Sequence, residues 1–558
     1  MEISKPRIGL IAGNRVVRGL SFESLVFPLR QSNYGSVLRH GKIDFVLIEI
    51  RSNSGIDTEK YYPGEESSNA VRNVISLAKE FGIPIVAWIT NEEAVGNVES
   101  DLIKLFDAIF CVSKELVRKI NILGLEAHLL PPCTQPAIFH PISEFNITKE
   151  KENFILLDDE EFLSKSNFYE ELETLGCKYL LSEVNRNCVS ELGSIQQGAF
   201  HGLSGDKEGS ESARKSVFDS IICYVSAGCD RNDRMWKELD AAASGVFVIH
   251  IGEIADHDPI YQSSIECKDT IDALTEIIRF KKDDLYRQRL AHKSWRQVTL
   301  KHTFANRLAT ICESIGLSQY SKGLPKVSII APTLRRNKII NVINTFNSFD
   351  YPNKELIVIY NGDESVDAIR REFSNIQANL KIISLPSDKF SGAAMNLGCM
   401  YATGLYCLRV DDDDIYGKYY VLDMVLQAQA VGADIFGKPP APVMEEGGGS
   451  AYLKNSDIIQ TEISVSYLTS GERWLGGNSM AFKRNIVESE IFSNNIYGAA
   501  DTAFQLNISD EKWTCICADR FNLVAQRSRD ISSHTWRTDF LEIVKNRDKC
   551  DDVSELFL

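Results

Sequence analysis

The chain has 558 residues, more than one hydrophobic core usually organises, so at least two domains and more simply three lobes are predicted. Hydrophobic residues make up 44% and charged residues 25%, a globular mix that excludes a disordered or fibrous protein. A formal net charge of −16 excludes the non-specific phosphate binding of a nucleic-acid partner, and no apolar stretch approaches the ~20 residues of a transmembrane helix.

In chain order, Ile8–Ala12, Phe45–Glu49, Ile83–Trp88, Ala108–Val112 and Ala127–Leu130 are predicted strands, with helical patterns between them over Ser68–Phe81 and Lys114–Leu123. Apolar strands alternating with helices imply a parallel α/β sheet. Gly13 and Asn14 follow the first strand, where such sheets hold ligands. A second α/β unit begins near Asn153–Leu157 and contains the strand Ser220–Val225, a helix around Met235–Ser244 and the strand Val246–His250. A helical region over Thr270–Ile315 closes it, and the polar stretch Leu317–Pro325 reads as a linker. The third unit runs through strands Val327–Ala331, Leu356–Tyr360, Lys381–Ser384 and Leu405–Val410, with helices over Asn341–Ser348 and Ala393–Ala402. The glycine run at 447–449 is predicted to lie in a mobile loop, Pro439–Ala451. The expected division is therefore 1–145, 146–316, a linker at 317–324, and 325–558.

The N-terminus lacks a signal-peptide pattern, and the 13 cysteines have no paired metal-site spacing. Cys515 and Cys517 would share one face of a strand and read as buried thiols. The expectation is a reduced, cytoplasmic protein, with peripheral association at the inner face of a membrane left open.

The chemically distinctive feature is Asp411-Asp412-Asp413-Asp414, delivered to the carboxyl end of an apolar strand. Like charges this close repel unless a cation neutralises them, by about 1 to 4 kcal/mol at ~4 Å. A solvated loop is one reading; a hard divalent cation, Mn²⁺ or Mg²⁺, is the other.

With the motifs around this run, residues 325–558 resemble a family 2 glycosyltransferase of the GT-A fold. The resemblance implies a nucleotide-sugar donor, a UDP-sugar by default, and a glycan or lipid-linked glycan acceptor. It implies donor contacts from Pro332, Thr333, Asp363, Asn396, Asp411 and Asp412, with Asp413 and His534 on the metal. Trp474, Gly476, Gly477 and Asn478 would line the acceptor side. Asp501 would be the general base of an inverting transfer, standing where the family commonly has Glu-Asp; a helix N-cap is its bland alternative.

Residues 1–316 more loosely resemble GT-B glycosyltransferases of the CgeB-like or family 4-like branch, through Phe106–Ser113, Leu129–Cys133, Met235–Glu238 and His302–Arg307. That resemblance implies a pair of Rossmann-like lobes with a site at Gly13, Asn14, Arg231, Arg234 and Glu238. Two surface arginines and a solvated helix carboxylate are the alternatives for the last three. No general base stands out in this half. The whole chain reads as a bifunctional hexosyltransferase-type enzyme making a bacterial surface polysaccharide of capsule or O-antigen type. The alternative is one active GT-A transferase joined to a degenerate GT-B-like acceptor-binding or scaffolding module.

Overall fold

A computed structural model describes residues 5–51, 67–91, 100–143, 154–158, 167–181, 215, 217–227, 231–254, 258–320, 323–373, 379–454, 459–471, 475–489, 491–496, 498–509, 512–528 and 538–558. The chain divides into two compact units, Met1–His140 with Glu150–Lys322, and Pro141–Lys149 with Gly323–Leu558.

The first unit contains two all-parallel sheets. One has the spatial order Leu25–Pro28, Arg7–Ile11, Phe45–Ile50, Ile85–Ile89, Ala108–Cys111, His128–Leu129. Its central strands Phe45–Ile50 and Ile85–Ile89 are buried at every residue, which is why they read as apolar runs interrupted only by Glu49. The other sheet has the order Ser264–Cys267, Phe247–Ile251, Ile221–Ala227, Phe154–Leu157, Lys178–Leu181. The helical region predicted over 270–315 is three helices, Thr270–Lys282, Asp284–Lys301 and Phe304–Ser314. The breaks fall where side chains cap the next helix: Asp283 accepts from the Tyr286 amide at 2.8 Å, and Thr303 forms a capping box with Asn306. Leu317 and Tyr320 pack against the apolar core of this unit, so the ordered start of the expected linker belongs to it.

The second unit is built on an eight-stranded mixed sheet. Its order is Leu380–Ser384, Lys354–Tyr360, Val327–Thr333, Tyr406–Arg409, Ala481–Lys483, Ile435–Gly437, Cys515–Cys517, Thr461–Ile463. The first four strands are parallel, so Thr333 and Arg409 leave neighbouring strands at one edge. The segment Pro141–Lys149 belongs to this unit, where Ser143 bridges to Thr461 at the far edge strand.

A smaller sheet contains Ile415–Tyr416, Leu523–Arg527, Val443–Glu445, Ala451–Leu453 and Asp548–Cys550. It corrects the mobile loop expected over 439–451, because Val443–Glu445 and Ala451–Leu453 pair antiparallel across the glycine turn. The neighbouring strands Leu523–Arg527 and Asp548–Cys550, distant in sequence, supply the pairing that no local pattern announced. The cysteines among the described residues are buried, Cys515 and Cys517 included. No helix among them is long and apolar enough to cross a membrane.

Candidate active site

The strand Tyr406–Arg409 is buried until Arg409 and delivers the aspartate run to the carboxyl edge of the large sheet. The run then turns into Ile415–Tyr416, which pairs antiparallel with Leu523–Arg527. This sharp change of sheet spreads the four carboxylates over different partners. Arg409 donates to both oxygens of Asp411, at 2.6 and 3.2 Å. Asp412 is buried and accepts from the Thr333 hydroxyl and from Arg335, whose Nε lies at 3.1 Å. Asp413 lies 3.0 Å from Nη2 of the same Arg335. Asp414 accepts from Asn478 Nδ2 at 2.6 Å and from the Gln526 amide at 3.1 Å. Tyr416 ties the turn together: its hydroxyl accepts from the Asp411 amide at 2.9 Å and donates to the Asn478 carbonyl at 2.8 Å.

Burial raises the Asp411 carboxyl, although Arg409 opposes the shift. Burial, followed by the charges of Asp411 and Asp413, pushes the Asp414 carboxyl up to about 8. The two arginines shift the other way. Burial disfavours each guanidinium, but the adjoining carboxylates outweigh it and hold both Arg335 and Arg409 above their ordinary value.

Across the cavity, Asp501 lies in the first turn of the helix Ala500–Leu506; the N-cap position is Ala499, so the capping alternative does not hold. The carboxylate is pressed against Gly477, where an added Cβ would stand 1.7 Å from Asp501 Oδ2. Gln505, one turn along that helix, clamps Leu475, the residue before the glycines. Its Oε1 accepts from the Leu475 amide at 2.8 Å and its Nε2 donates to the Leu475 carbonyl at 3.1 Å. Beneath the turn, Gly476 donates to the Lys438 carbonyl at 2.8 Å, and the Lys438 ammonium is buried 2.9 Å from Asp519.

Pro332, Thr333, Asp411, Asp412, Asp413, Asp414, Gly476, Gly477, Asn478 and Asp501 line one cavity of about 730 Å³, joined by Arg335, Asn361 and Arg409. Of the remaining expected residues, Asp363 is exposed and is not in this lining, whereas Asn361 two positions earlier is. Asn396 holds the loop opposite, donating to the Phe492 carbonyl at 2.8 Å and to Asn494 Oδ1 at 3.0 Å. Trp474 and His534 lie outside the described residues.

Residues 328–480 match the family model of glycosyl transferase family 2. The chain carries a family 2 glycosyltransferase domain. Among solved structures, this chain is similar to the mannosyltransferase PcManGT from Pyrobaculum calidifontis in complex with GDP-Man and Mn2+. The identity is 16%, over 37% of this chain and 57% of that one, with a TM-score of 0.29. It is also similar to S. aureus TarS 1–349 in complex with UDP-GlcNAc, at 17% identity over 36% of this chain and 58% of that one, with a TM-score of 0.29. The chain thus spans less than two thirds of the length of either structure. No curated protein matches it.

The donor set in this cavity suits a hard cation. Asp413 offers a carboxylate to the cavity that is buried on one side only, the oxygen chemistry a divalent ion such as Mn²⁺ or Mg²⁺ takes. Reading the motifs alone missed Arg335, Arg409, Tyr416 and Gln505. Arg409 was within reach, because on a strand it shares a face with Asp411 two positions on. Arg335 and Gln505 gave no local signal, since their partners lie far along the chain.

In the first unit, Gly13 donates its amide to Glu49 Oε2 at 2.8 Å, and Asn14 opens the helix Asn14–Ser21. Arg231 starts the helix Arg231–Ala243, and its side chain lies outside the described residues. For Glu238 the solvated alternative does not hold: the carboxylate is fully buried within that helix, 3.3 Å from His250 Nδ1 and 3.5 Å from Arg234 Nε. Arg234 is likewise buried rather than a surface arginine.

Proposed function

We propose that the glycosyltransferase domain moves a sugar from a nucleotide-sugar to a glycan acceptor hydroxyl, inverting the anomeric carbon, with Asp501 as general base. One observation carries the reading. Asp501 and the aspartate run line the same cavity, and of these five carboxylates Asp501 alone accepts no hydrogen bond among the described residues. A carboxylate without a donor keeps its lone pairs for a substrate proton.

Asp413, with His534 as a second ligand, would hold Mn²⁺ or Mg²⁺, which when bound supplies Lewis-acid neutralisation of the diphosphate leaving group. Thr333, Pro332, Asp411 and Asp412 face the donor. Asp501 takes the acceptor proton as that oxygen bonds to the anomeric carbon, and the bond to the diphosphate breaks with its electron pair leaving on phosphate oxygen. Attack from the face opposite the leaving group inverts the centre, as in inverting glycosidases. Gly477 lets the base approach, and Gln505 keeps its helix in register with the glycine turn. The test is a panel of nucleotide sugars, UDP-sugars first, incubated with the full chain and Mn²⁺. Nucleotide release that survives Asp501→Asn would exclude this role for Asp501.

The wider reading is a bifunctional enzyme of bacterial surface polysaccharide synthesis, in which the first unit is a GT-B-like transferase using Arg231, Arg234 and Glu238. Its support is the pair of parallel sheets and the buried Arg234–Glu238–His250 cluster. If Asp413→Ala and Glu238→Ala abolish the same single activity, bifunctionality fails. The alternative, a degenerate first unit, is favoured by Glu49. The amide that opens the helix after the first strand is where an anionic ligand would bind, and the Glu49 carboxylate already occupies it.

A further inference from the structure

The four aspartates differ once their neighbours are named. Asp411 contacts Arg409 and Asp414 is held by an amide side chain and a backbone amide, whereas Asp412 and Asp413 both contact the guanidinium of Arg335. Arg335 grips Asp412 through Nε and Nη2, and the same Nη2 lies 3.0 Å from Asp413 Oδ2. Asp412 is 6% exposed, while Asp413 and Arg335 are 24% and 35% exposed and both line the cavity. The anchor to Asp412 is reinforced by the Thr333 hydroxyl, which donates to that carboxylate and accepts from the Arg335 amide at 3.0 Å.

We propose that Arg335 is the resident counter-ion of Asp413 and competes with the divalent cation for that carboxylate, passing to the donor's phosphates when the cation binds. The proposal rests on the reading of Asp413 as a cation ligand. A guanidinium at hydrogen-bond distance occupies the lone pairs Asp413 turns to the cavity, and its positive charge repels a second cation at the same oxygen. Only the Nη2 contact is shared, so Arg335 can give up Asp413 while its Nε stays on Asp412. The planar fork freed in this way matches a phosphate as well as a carboxylate. Cation binding is then weak without a nucleotide and strengthened by one, because the phosphates take over the arginine.

Binding of Mn²⁺ to the full chain, read from the loss of the free-ion electron paramagnetic resonance signal, tests this without reference to turnover. Without nucleotide, Arg335→Gln is expected to bind Mn²⁺ at least tenfold more tightly than the unaltered chain. Arg335→Lys, which lacks the fork, is expected to bind it about threefold more tightly. With UDP present the advantage of Arg335→Gln shrinks, because the phosphate contact is lost too. Arg336→Gln removes the adjacent charge, which is paired with Glu364 and Glu372 away from the run, and leaves Mn²⁺ affinity within about twofold. Equal or weaker Mn²⁺ binding by Arg335→Gln, or an equal gain in Arg336→Gln, overturns the proposal. If Arg335→Gln does not fold, Arg335→Lys decides, and affinity equal to that of the unaltered chain overturns it. If neither the unaltered chain nor the variants bind Mn²⁺, the reading of Asp413 as a ligand falls as well.

Discussion

Replacing Gly477 by alanine isolates the approach of the proposed base from everything else in the cavity. The residue is not in the left-handed region, so alanine fits its backbone and the effect is one of space. The added Cβ would stand 1.7 Å from Asp501 Oδ2 and 2.5 Å from its Cγ. Ordinary contact begins near 3.4 Å, so the carboxylate oxygen must retreat by about 1.7 Å. The helix carrying Asp501 cannot simply slide away, because Gln505 pins it to both polar groups of Leu475. A misplacement of about 1 Å near reacting atoms costs on the order of 10²-fold in rate, so Gly477→Ala should lower kcat by at least about that factor. The crowding should also cost about 1–3 kcal/mol of stability. Nucleotide release at saturating donor and acceptor measures the first, and denaturant unfolding the second. Gly449→Ala is the control: a Cβ there meets nothing within 4 Å, so neither quantity should move. A Gly477→Ala enzyme with kcat within about threefold of the unaltered chain would refute the placement of Asp501 against the reacting hydroxyl.

Asp501→Asn, nearly isosteric, should lower turnover by about 10²- to 10⁴-fold while Mn²⁺-dependent nucleotide binding, measured by calorimetry, stays unchanged. Gln505→Ala leaves two buried backbone groups of Leu475 without partners and should cost about 1–3 kcal/mol per orphaned group in urea unfolding. Lys438→Met takes the buried counter-charge from Asp519, which keeps its hydrogen bonds from Gln427 and the Phe521 amide, and should cost about 3–5 kcal/mol in the same assay. His302 is depressed to about 3, by burial first and then by Arg307 and Lys301, against 6.5 for a free imidazole. It is neutral in the fold while the unfolded chain takes up its proton, so stability falls as pH drops from about 6.5 towards 3. Its share of that slope is at most about 1.4 kcal/mol per pH unit, and His302→Gln should remove it from stability-versus-pH curves.

Much of this architecture is legible in the sequence. Strands buried on both faces are mostly apolar, so Phe45–Ile50, Ile85–Ile89 and Val327–Ala331, with only Glu49 and Ser328 as polar exceptions, announced parallel sheets by composition. Capping residues are local too, but the helical pattern over 270–315 runs on through the caps at Asp283 and Thr303. The aspartate run needed only the apolar strand before it to mark a ligand edge.

What tertiary structure decided is how that run is shared out. Arg335 reaches Asp412 across 77 residues and Asn478 reaches Asp414 across 64, and the antiparallel pairing of Ile415–Tyr416 with Leu523–Arg527 brings the Gln526 amide to Asp414. The same long-range packing left Asp363 exposed, sent Asn396 to the loop at Phe492, and turned the glycine run into part of a sheet. Periodicity reports which face of an element is buried. Which charge meets which depends on the register between elements far apart in the chain, and that is settled only when the whole sheet closes around its core.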